Sequence, residues 1–254
     1  MGIGDQIIAT GLAKGAAARG KRIAFGDSVK IIWDAWSPMI FKNNPNIAPP
    51  GSERDKDIEW LGYYKKYRWY SRAIGGDKWL FNYDFKVVPG EFYFDKSENV
   101  EKDDDLIIVE PNLPNKIPAQ NKQWPLKRWK QVANELLAAG FNVRQFEYGR
   151  PNRVAPGIKT PTFRHAAALL KSARMAIVPE GGLHHAAAAV ECPAVVVFGG
   201  YVPPSVLGYD SHINLTGGVT ACGNFKPCAH CAEAMDRISV EDVLDACERI
   251  MQCR

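Results

Sequence analysis

The chain has no run of about 18 apolar residues, the length that a membrane-spanning helix needs. Its first residues, Met-Gly-Ile-Gly-Asp-Gln, contain neither the basic nor the apolar segment of a secretion signal. These two absences predict a cytoplasmic protein without a transmembrane segment.

Cysteine is also scarce, with six residues in 254, and all of them follow residue 191. In a chain of this length such a distribution does not suggest the disulfide framework of a small secreted protein. The charge excess is small, since 32 Lys and Arg face 28 Asp and Glu. A net charge of +4 permits an anionic partner but does not require one.

The second half of the chain alternates between apolar strand-like segments and amphipathic helix-like segments. This alternation predicts a parallel sheet covered by helices on both faces. In such sheets ligands bind at the carboxyl ends of the strands, so we expect the loops 110–125, 147–162 and 179–184 to line one crevice. The predicted elements are strands at 105–110, 142–146, 174–178 and 194–198, and helices at 126–139, 163–172 and 183–190.

The segment from Pro179 to Val190 has the sequence of an anion-binding turn. A buried strand runs into Glu180, two glycines follow, and an alanine-rich helix opens at Leu183. Glycine lets a ligand approach the backbone closely. The helix N-terminus adds unpaired N–H groups and the positive end of the helix dipole. We therefore expect a phosphate of a nucleotide to bind at this turn.

The first half has a different character, and we place a domain boundary near residue 103. Gly4-Asp5 begins a predicted helix that ends at Arg19-Gly20, a strand follows at 22–26, and a further strand is expected at 29–33. Between residues 58 and 94, aromatic and basic side chains crowd together, most densely from Tyr63 to Tyr70. Such a stretch can form the core and cleft lining of a small domain, grip sugar rings, or stack on bases of DNA. The sequence leaves these three uses open.

Several of these segments resemble glycosyltransferase family nine, the ADP-heptose:lipopolysaccharide heptosyltransferases. The similar segments are Asn121-Lys-Gln-Trp-Pro-Leu-Lys-Arg-Trp129, Glu180-Gly-Gly-Leu-His-His-Ala186, Cys192-Pro-Ala-Val-Val-Val-Phe-Gly199 and Gly4-Asp5 with Thr10. Family members usually have Asp and Thr where this chain has Glu180 and Gly181, and a strand before Gly-Asp for which Met1 leaves no room. The resemblance covers residues 105–254 and, more loosely, 1–25.

The resemblance implies an α/β protein of the GT-B fold, with two Rossmann-like domains. Residues 1–103 would form a reduced acceptor-binding domain, and residues 104–254 the donor-binding domain, a parallel sheet with helices on both faces. The implied reaction is an inverting, metal-independent transfer of a heptose or other hexose-like sugar from a nucleoside diphosphate sugar, possibly ADP-linked, to an acceptor hydroxyl.

The family match also implies roles for individual residues. Asp5 matches the catalytic base on the acceptor hydroxyl, although a first-turn carboxylate is equally suited to stabilise its own helix. The positions matched to the donor diphosphate and its sugar are Lys122, Glu180, Gly181, Gly182, Leu183 and His185. We expect His184 to pack or to face solvent.

No cofactor and no catalytic metal are expected, because a helix N-terminus with Lys122 and His185 would replace the divalent cation. The expected partners are a nucleotide sugar and a glycan or lipid-linked glycan acceptor. Two alternatives are transfer to a modified base in DNA, and a nucleotide-sugar-binding module without activity. Cys222, Cys228 and Cys231, with Cys247 or His230, have ligand types that suit a structural zinc, but a single Cys-x2-Cys spacing favours free thiols.

Overall fold

The computed structural model describes residues 2–64, 66–114, 117–147 and 152–252. Within these ranges the chain forms two sheets and eight α-helices. Lys65 of the aromatic stretch, and short parts of the loops 110–125 and 147–162, lie outside the described residues. None of the described helices is both long and apolar enough to cross a membrane.

The first sheet begins as a Rossmann-like unit and continues as an antiparallel meander. Helix α1 (Ile3–Ala17) leads into the first strand, which pairs in parallel with the second. The remaining strands pair antiparallel in chain order. The elements are β1 (Arg22–Gly26), α2 (Ser37–Ile40), β2 (Ile58–Tyr64), β3 (Tyr67–Arg68), β4 (Ser71–Ile74) and β5 (Lys78–Phe81).

The aromatic and basic stretch is this meander, and its side chains divide between two faces. Tyr63 pairs with Arg68, and Tyr64 with Tyr67. Because side chains alternate along a strand, the first pair turns inward while the second turns to solvent. Tyr63 is 7% exposed, whereas the stacked rings of Tyr64 and Tyr67 are 53% and 39% exposed.

The second sheet has six parallel strands in the order β11-β10-β9-β6-β7-β8. The order reverses between β6 and β9, and a crevice for a ligand opens at such a switch point. The strands are β6 (Asp103–Val109), β7 (Asn142–Glu147), β8 (Gly157–Lys159), β9 (Ala173–Pro179), β10 (Ala194–Val197) and β11 (His212–Leu215).

Helices cover both faces of this sheet. Alternate residues of β6 point to opposite sides: Ile107 packs under α3 and α8, and Ile108 packs under α4 and α5. Both faces are therefore apolar, which explains the nearly continuous hydrophobic strands. The helices are α3 (Leu126–Ala138), α4 (Phe163–Ser172), α5 (Gly182–Ala189), α6 (Pro204–Leu207), α7 (Ala229–Arg237) and α8 (Val240–Gln252).

The parallel α/β architecture predicted for the second half is confirmed, whereas one strand predicted in the first half is wrong. Residues 29–33 form only an isolated bridge between Ile31 and Gly26. The Asp27 carboxylate accepts hydrogen bonds from the N–H groups of Val29 and Lys30, at 3.0 and 2.7 Å. This local side-chain bonding makes a turn of the segment.

A buried arginine joins the two halves of the chain. Arg164, on α4, donates to both carboxylate oxygens of Glu98, at 2.6 and 2.7 Å, and to the carbonyls of Met39 and Tyr93. The guanidinium lowers the pKa of Glu98 to about 2, against the opposing effect of burial. Both partners are largely buried, so this pair is expected to matter more than a surface salt bridge.

Replacing Arg164 with Met should destabilise the fold by about 3 kcal/mol, because the largely buried Glu98 would keep only the half-exposed Lys42, whose Nζ lies 3.9 Å from Oε2. Urea denaturation at pH 7 measures the loss. The pKa of Glu98 lies below its ordinary 4.5, so its contribution is complete above that pH and declines as the pH falls towards 2. The variant should lose this part of the pH dependence. Arg19→Met, which breaks an exposed pair with Glu59, serves as control. Equal effects of the two substitutions would contradict the prediction.

Candidate active site

A cavity of about 730 Å³ lies between the two halves, at the carboxyl edge of the second sheet. The starts of α1 and α5, the inner face of the meander and the loops after β6, β9 and β10 line it. It contains every residue matched to the family's site, and their roles remain predictions: Asp5, Lys122, Glu180, Gly181, Gly182, Leu183 and His185. The predicted convergence of the loops on one crevice is seen in their described parts.

The turn after β9 presents backbone donors to this cavity. Residues in the first turn of a helix have no intrahelical acceptor for their N–H groups. At α5 this applies to Gly182 and Leu183, whereas the N–H group of Gly181 donates to Nδ1 of His184 at 3.0 Å. The N–H groups of Gly182 and Leu183 can therefore donate to a phosphate, whereas the N–H group of Gly181 donates to the His184 side chain instead.

The first turn of α1 packs directly against the first turn of α5. A methyl group at Gly4 would come within 2.8 Å of the His185 ring and 3.7 Å of the Gly182 Cα atom. The contact thus requires glycine at position 4. It brings Asp5, one residue further along α1, to the same cavity as the amides of α5.

Lys122 and Glu180 form an ion pair in the wall of the cavity, with Nζ and Oε2 2.5 Å apart. Burial has the largest single effect and would raise the pKa of Glu180, but the charge and hydrogen bond of Lys122, together with His184, hold the pKa below its ordinary value. Lys122 also lies over the ring of Tyr201, at 5.6 Å. Lys122 and Glu180, each expected to contact the donor, are therefore bonded to each other in this structure.

The two histidines of α5 have different surroundings. His184 is fully buried: its Nδ1 accepts from Gly181, so its Nε2 carries the proton and donates to the Leu207 carbonyl at 3.0 Å. Both nitrogens are engaged, so the Glu180–His184–His185 cluster does not offer three free metal ligands. Of the two surroundings expected for His184, packing in the interior rather than exposure to solvent is observed.

His185 has one nitrogen bonded to the protein and belongs to the cavity wall. Its Nδ1 lies 2.8 Å from the Tyr209 hydroxyl. Burial lowers the pKa of His185 well below its ordinary value, so the ring is neutral. When Tyr209 donates this bond, Nε2 carries the proton and can donate to an anion in the cavity.

Asp5 is surrounded by donors that sequence reasoning did not identify. Its Oδ2 accepts from the N–H group of Gly2 and the hydroxyl of Tyr63, both at 3.2 Å. Its Oδ1 accepts from the Tyr70 hydroxyl, and the Arg68 Nε lies 3.4 Å from both oxygens. The inward-facing side chains of the aromatic stretch therefore surround Asp5, the predicted base.

Another buried carboxylate, also missed from the sequence, lies at the end of β6. Glu110 is 4% exposed and accepts from the N–H group and the side-chain amide of Asn112, at 3.0 and 2.6 Å. Burial raises the pKa of Glu110 in spite of these bonds. Both residues line the cavity at the switch point of the sheet.

Three cysteine thiols lie together beside the cleft. The Sγ atom of Cys222 is 3.8 Å from that of Cys228 and 3.3 Å from that of Cys231. Among the described residues neither His230 nor Cys247 belongs to this group: His230 bonds to the Thr220 carbonyl, and Cys247 packs under the second sheet.

The cysteine loop is tied to the residue before Lys122. The Asn121 side chain donates to the carbonyls of Asn224 and Lys226, at 2.8 and 2.9 Å, and accepts from the N–H group of Cys228 at 3.1 Å. The same loop pairs with β5, because the N–H group of Trp79 donates to the Gly223 carbonyl. The loop therefore contacts both halves of the chain.

The sequence model of glycosyltransferase family 9 (heptosyltransferase) matches residues 80–238. The chain belongs to this family. A curated relative, lipopolysaccharide heptosyltransferase 1 of Pseudomonas aeruginosa, is 25% identical over an alignment of 231 positions that covers 81% of this chain and 60% of the relative. The chain thus spans about 60% of the length of that relative.

A solved structure with a similar fold is the iron-containing dodecameric glycosyltransferase TibC of enterotoxigenic E. coli. It is 12% identical, with a TM-score of 0.67 over 100% of this chain and 74% of TibC. The E. coli ADP-heptose lipopolysaccharide heptosyltransferase II is 15% identical, with a TM-score of 0.47 over 66% of this chain and 55% of that protein. The likeness to TibC concerns the fold alone: this is a GT-B-like α/β protein.

Lys122→Met should destabilise the protein by about 3 kcal/mol, because it leaves the Glu180 carboxylate buried without its cation. Adding Glu180→Gln should restore more than half of the loss, since the uncompensated charge is then removed. Urea denaturation at pH 7 measures both effects. Lys86→Met, which breaks an exposed pair with Asp210, should change stability by no more than about 0.5 kcal/mol. If Lys122→Met is as stable as the wild type, the prediction that this buried ion pair stabilises the fold is wrong.

Proposed function

We propose that this chain is an inverting glycosyltransferase that moves a heptose from an ADP-linked donor to an acceptor hydroxyl. The observation that carries the proposal is the meeting of α1 and α5 in one cavity. An anion-binding helix start and a carboxylate then line the same cavity, in which the sugar would lie. The separation of a leaving-group site from a base is what an in-line displacement requires.

The donor diphosphate is assigned to the start of α5. The amides of Gly182 and Leu183 and the Nε2 of neutral His185 would donate to its oxygens, and Lys122 would supply a positive charge. Glu180 would accept from a hydroxyl of the ribose or the sugar. An ADP-linked heptose is supported by TibC, which was solved in complex with ADP-D-β-D-heptose.

The proposed transfer needs no divalent metal, because fixed donors can stabilise the developing charge of the diphosphate. Two Asp-x-Asp spacings occur in the chain, and neither lines the described cavity. Asp55 and Asp57 bind Arg22, while Asp103 and Asp105 lie at the amino end of β6. Neither Asp-x-Asp pair is therefore offered to the donor site.

The acceptor is assigned to the half formed by residues 1–103. A glycan or lipid-linked glycan is supported by the lipopolysaccharide in the name of the curated relative. The DNA alternative rested on the aromatic stretch, but its inner members bond to Asp5 and need no nucleic acid to explain them. Retention on DNA that weakens with salt would favour that alternative.

The test combines donor binding and sugar transfer. ADP-heptose at a hundredfold excess over Kd should stabilise the chain by about 2.7 kcal/mol, with a much smaller effect of UDP. Heptose-free lipopolysaccharide is the probe acceptor. Asp5→Asn should bind the donor normally but transfer at least about 100-fold more slowly, whereas Asp210→Asn, at an exposed position, should transfer normally.

For each step of this test, one outcome would contradict part of the proposal. The absence of stabilisation by any nucleotide would refute the proposed function. Donor binding without transfer by the wild type would favour the binding-module alternative. Undiminished transfer by Asp5→Asn would remove Asp5 as the base while leaving the enzyme assignment intact.

We further propose that Cys222, Cys228 and Cys231 hold one metal ion as a structural site. Metal–thiolate bonds of about 2.3 Å in a tetrahedral site place sulfur atoms roughly 3.8 Å apart, and the observed separations are 3.8 and 3.3 Å. The solved relative TibC is described as iron-containing. Such an ion would fix the loop that holds Asn121, next to Lys122.

Metal analysis of the purified chain tests this site. The wild type should contain about one iron or zinc ion per chain, and Cys222→Ser or Cys228→Ser should contain almost none. Both variants should also melt at a lower temperature, because a metal bound only by the folded state stabilises it. Cys247→Ala, outside the thiol cluster, should keep its metal. A wild-type chain with no more metal than the Ser variants would overturn the proposal.

A further inference from the structure

Both carboxylate oxygens of Asp5 accept hydrogen bonds from the protein in this structure. A carboxylate offers about four lone-pair positions. Four groups donate to Asp5: the Gly2 N–H, the Tyr63 hydroxyl, the Arg68 Nε–H and the Tyr70 hydroxyl. Only 7% of the residue is exposed, so its protein partners occupy most of the surface through which an acceptor hydroxyl could reach the carboxylate directly.

The two tyrosines differ in one respect. Both are buried and both donate to Asp5. Tyr70 lines the cavity together with Asp5 and Arg68, whereas Tyr63 is not among the described residues that line it. Among the described residues no group donates to the Tyr70 oxygen, which keeps lone pairs free for a hydroxyl in the cavity.

We infer that Tyr70 is a catalytic proton relay between the acceptor hydroxyl and Asp5. This inference rests on the proposed glycosyl transfer. The acceptor O–H bond breaks, and its proton passes to the Tyr70 oxygen as the Tyr70 proton passes to Oδ1 of Asp5. The acceptor oxygen bonds to the anomeric carbon while the bond from that carbon to the diphosphate breaks, and the electron pair leaves with the nucleoside diphosphate.

The surroundings of Tyr70 suit a group that passes a proton without becoming charged. Burial, together with the negative charge of Asp5, raises the pKa of Tyr70 well above its ordinary value, while the nearby Arg68 opposes this. The phenol therefore stays protonated at any pH at which the enzyme would work. Arg68, stacked over Trp79 at 4.4 Å, stabilises the Asp5 carboxylate until the proton arrives.

Tyr63 provides a matched control, because Tyr63→Phe also removes one hydroxyl from Asp5. We would measure ADP release from ADP-heptose with heptose-free lipopolysaccharide, and again with water as the only acceptor. Tyr70→Phe should reduce kcat by at least about 100-fold in both assays with the donor KM nearly unchanged. Tyr63→Phe should reduce kcat by less than about tenfold. Wild-type turnover should also show a solvent isotope effect from two protons in flight, as a proton inventory measures.

The outcomes separate the relay from the proposed function. A wild type that releases ADP with neither acceptor refutes the proposed function and the relay with it. An active wild type in which Tyr70→Phe retains its kcat, or loses no more than Tyr63→Phe, refutes the relay alone. A one-proton inventory in an active wild type also refutes it. Thermal melting of both Phe variants identifies any loss that comes from unfolding, and in that case the proton inventory of the wild type decides.

Discussion

The site depends on the contact between the first turns of α1 and α5. Two helix starts carry positive dipole ends and unpaired amides, so they do not attract each other. Gly4 and Gly182 allow the approach sterically, and the Asp5 carboxylate places a negative charge at the start of α1. The same contact sets the distance between the carboxylate and the amides of α5, and thus the space available for a sugar.

Each buried carboxylate in the cleft has a cation or hydrogen-bond donors beside it, because a buried charge without partners is costly. Asp5 has Arg68 and two tyrosines, Lys122 has Glu180, and Glu110 has the donors of Asn112. A diphosphate that enters must compete with Glu180 for the Lys122 ammonium. Donor binding is therefore expected to rearrange this pair as well as to fill the cavity.

Much of the second half could be predicted, because the central strands β6, β9 and β10 contain buried apolar runs and several helices begin and end at recognisable residues. Thr162 accepts from the N–H group of His165 at the start of α4, and Ser239 and Asp242 bond reciprocally at α8. The strands β8 and β11 were missed because they are only three and four residues long and mainly half-exposed. Nothing local distinguishes such segments from loops.

The environment of Asp5 could not be predicted for a different reason. Its side-chain partners Tyr63, Arg68 and Tyr70 follow it by 58 to 65 positions. Their approach depends on the packing of the meander against α1. The most direct test of the account is a crystal structure with ADP. We predict the β-phosphate within hydrogen-bonding distance of the Gly182 and Leu183 amides, with Lys122 turned towards it. ADP bound outside the cleft, or with its phosphates away from α5, would contradict the account.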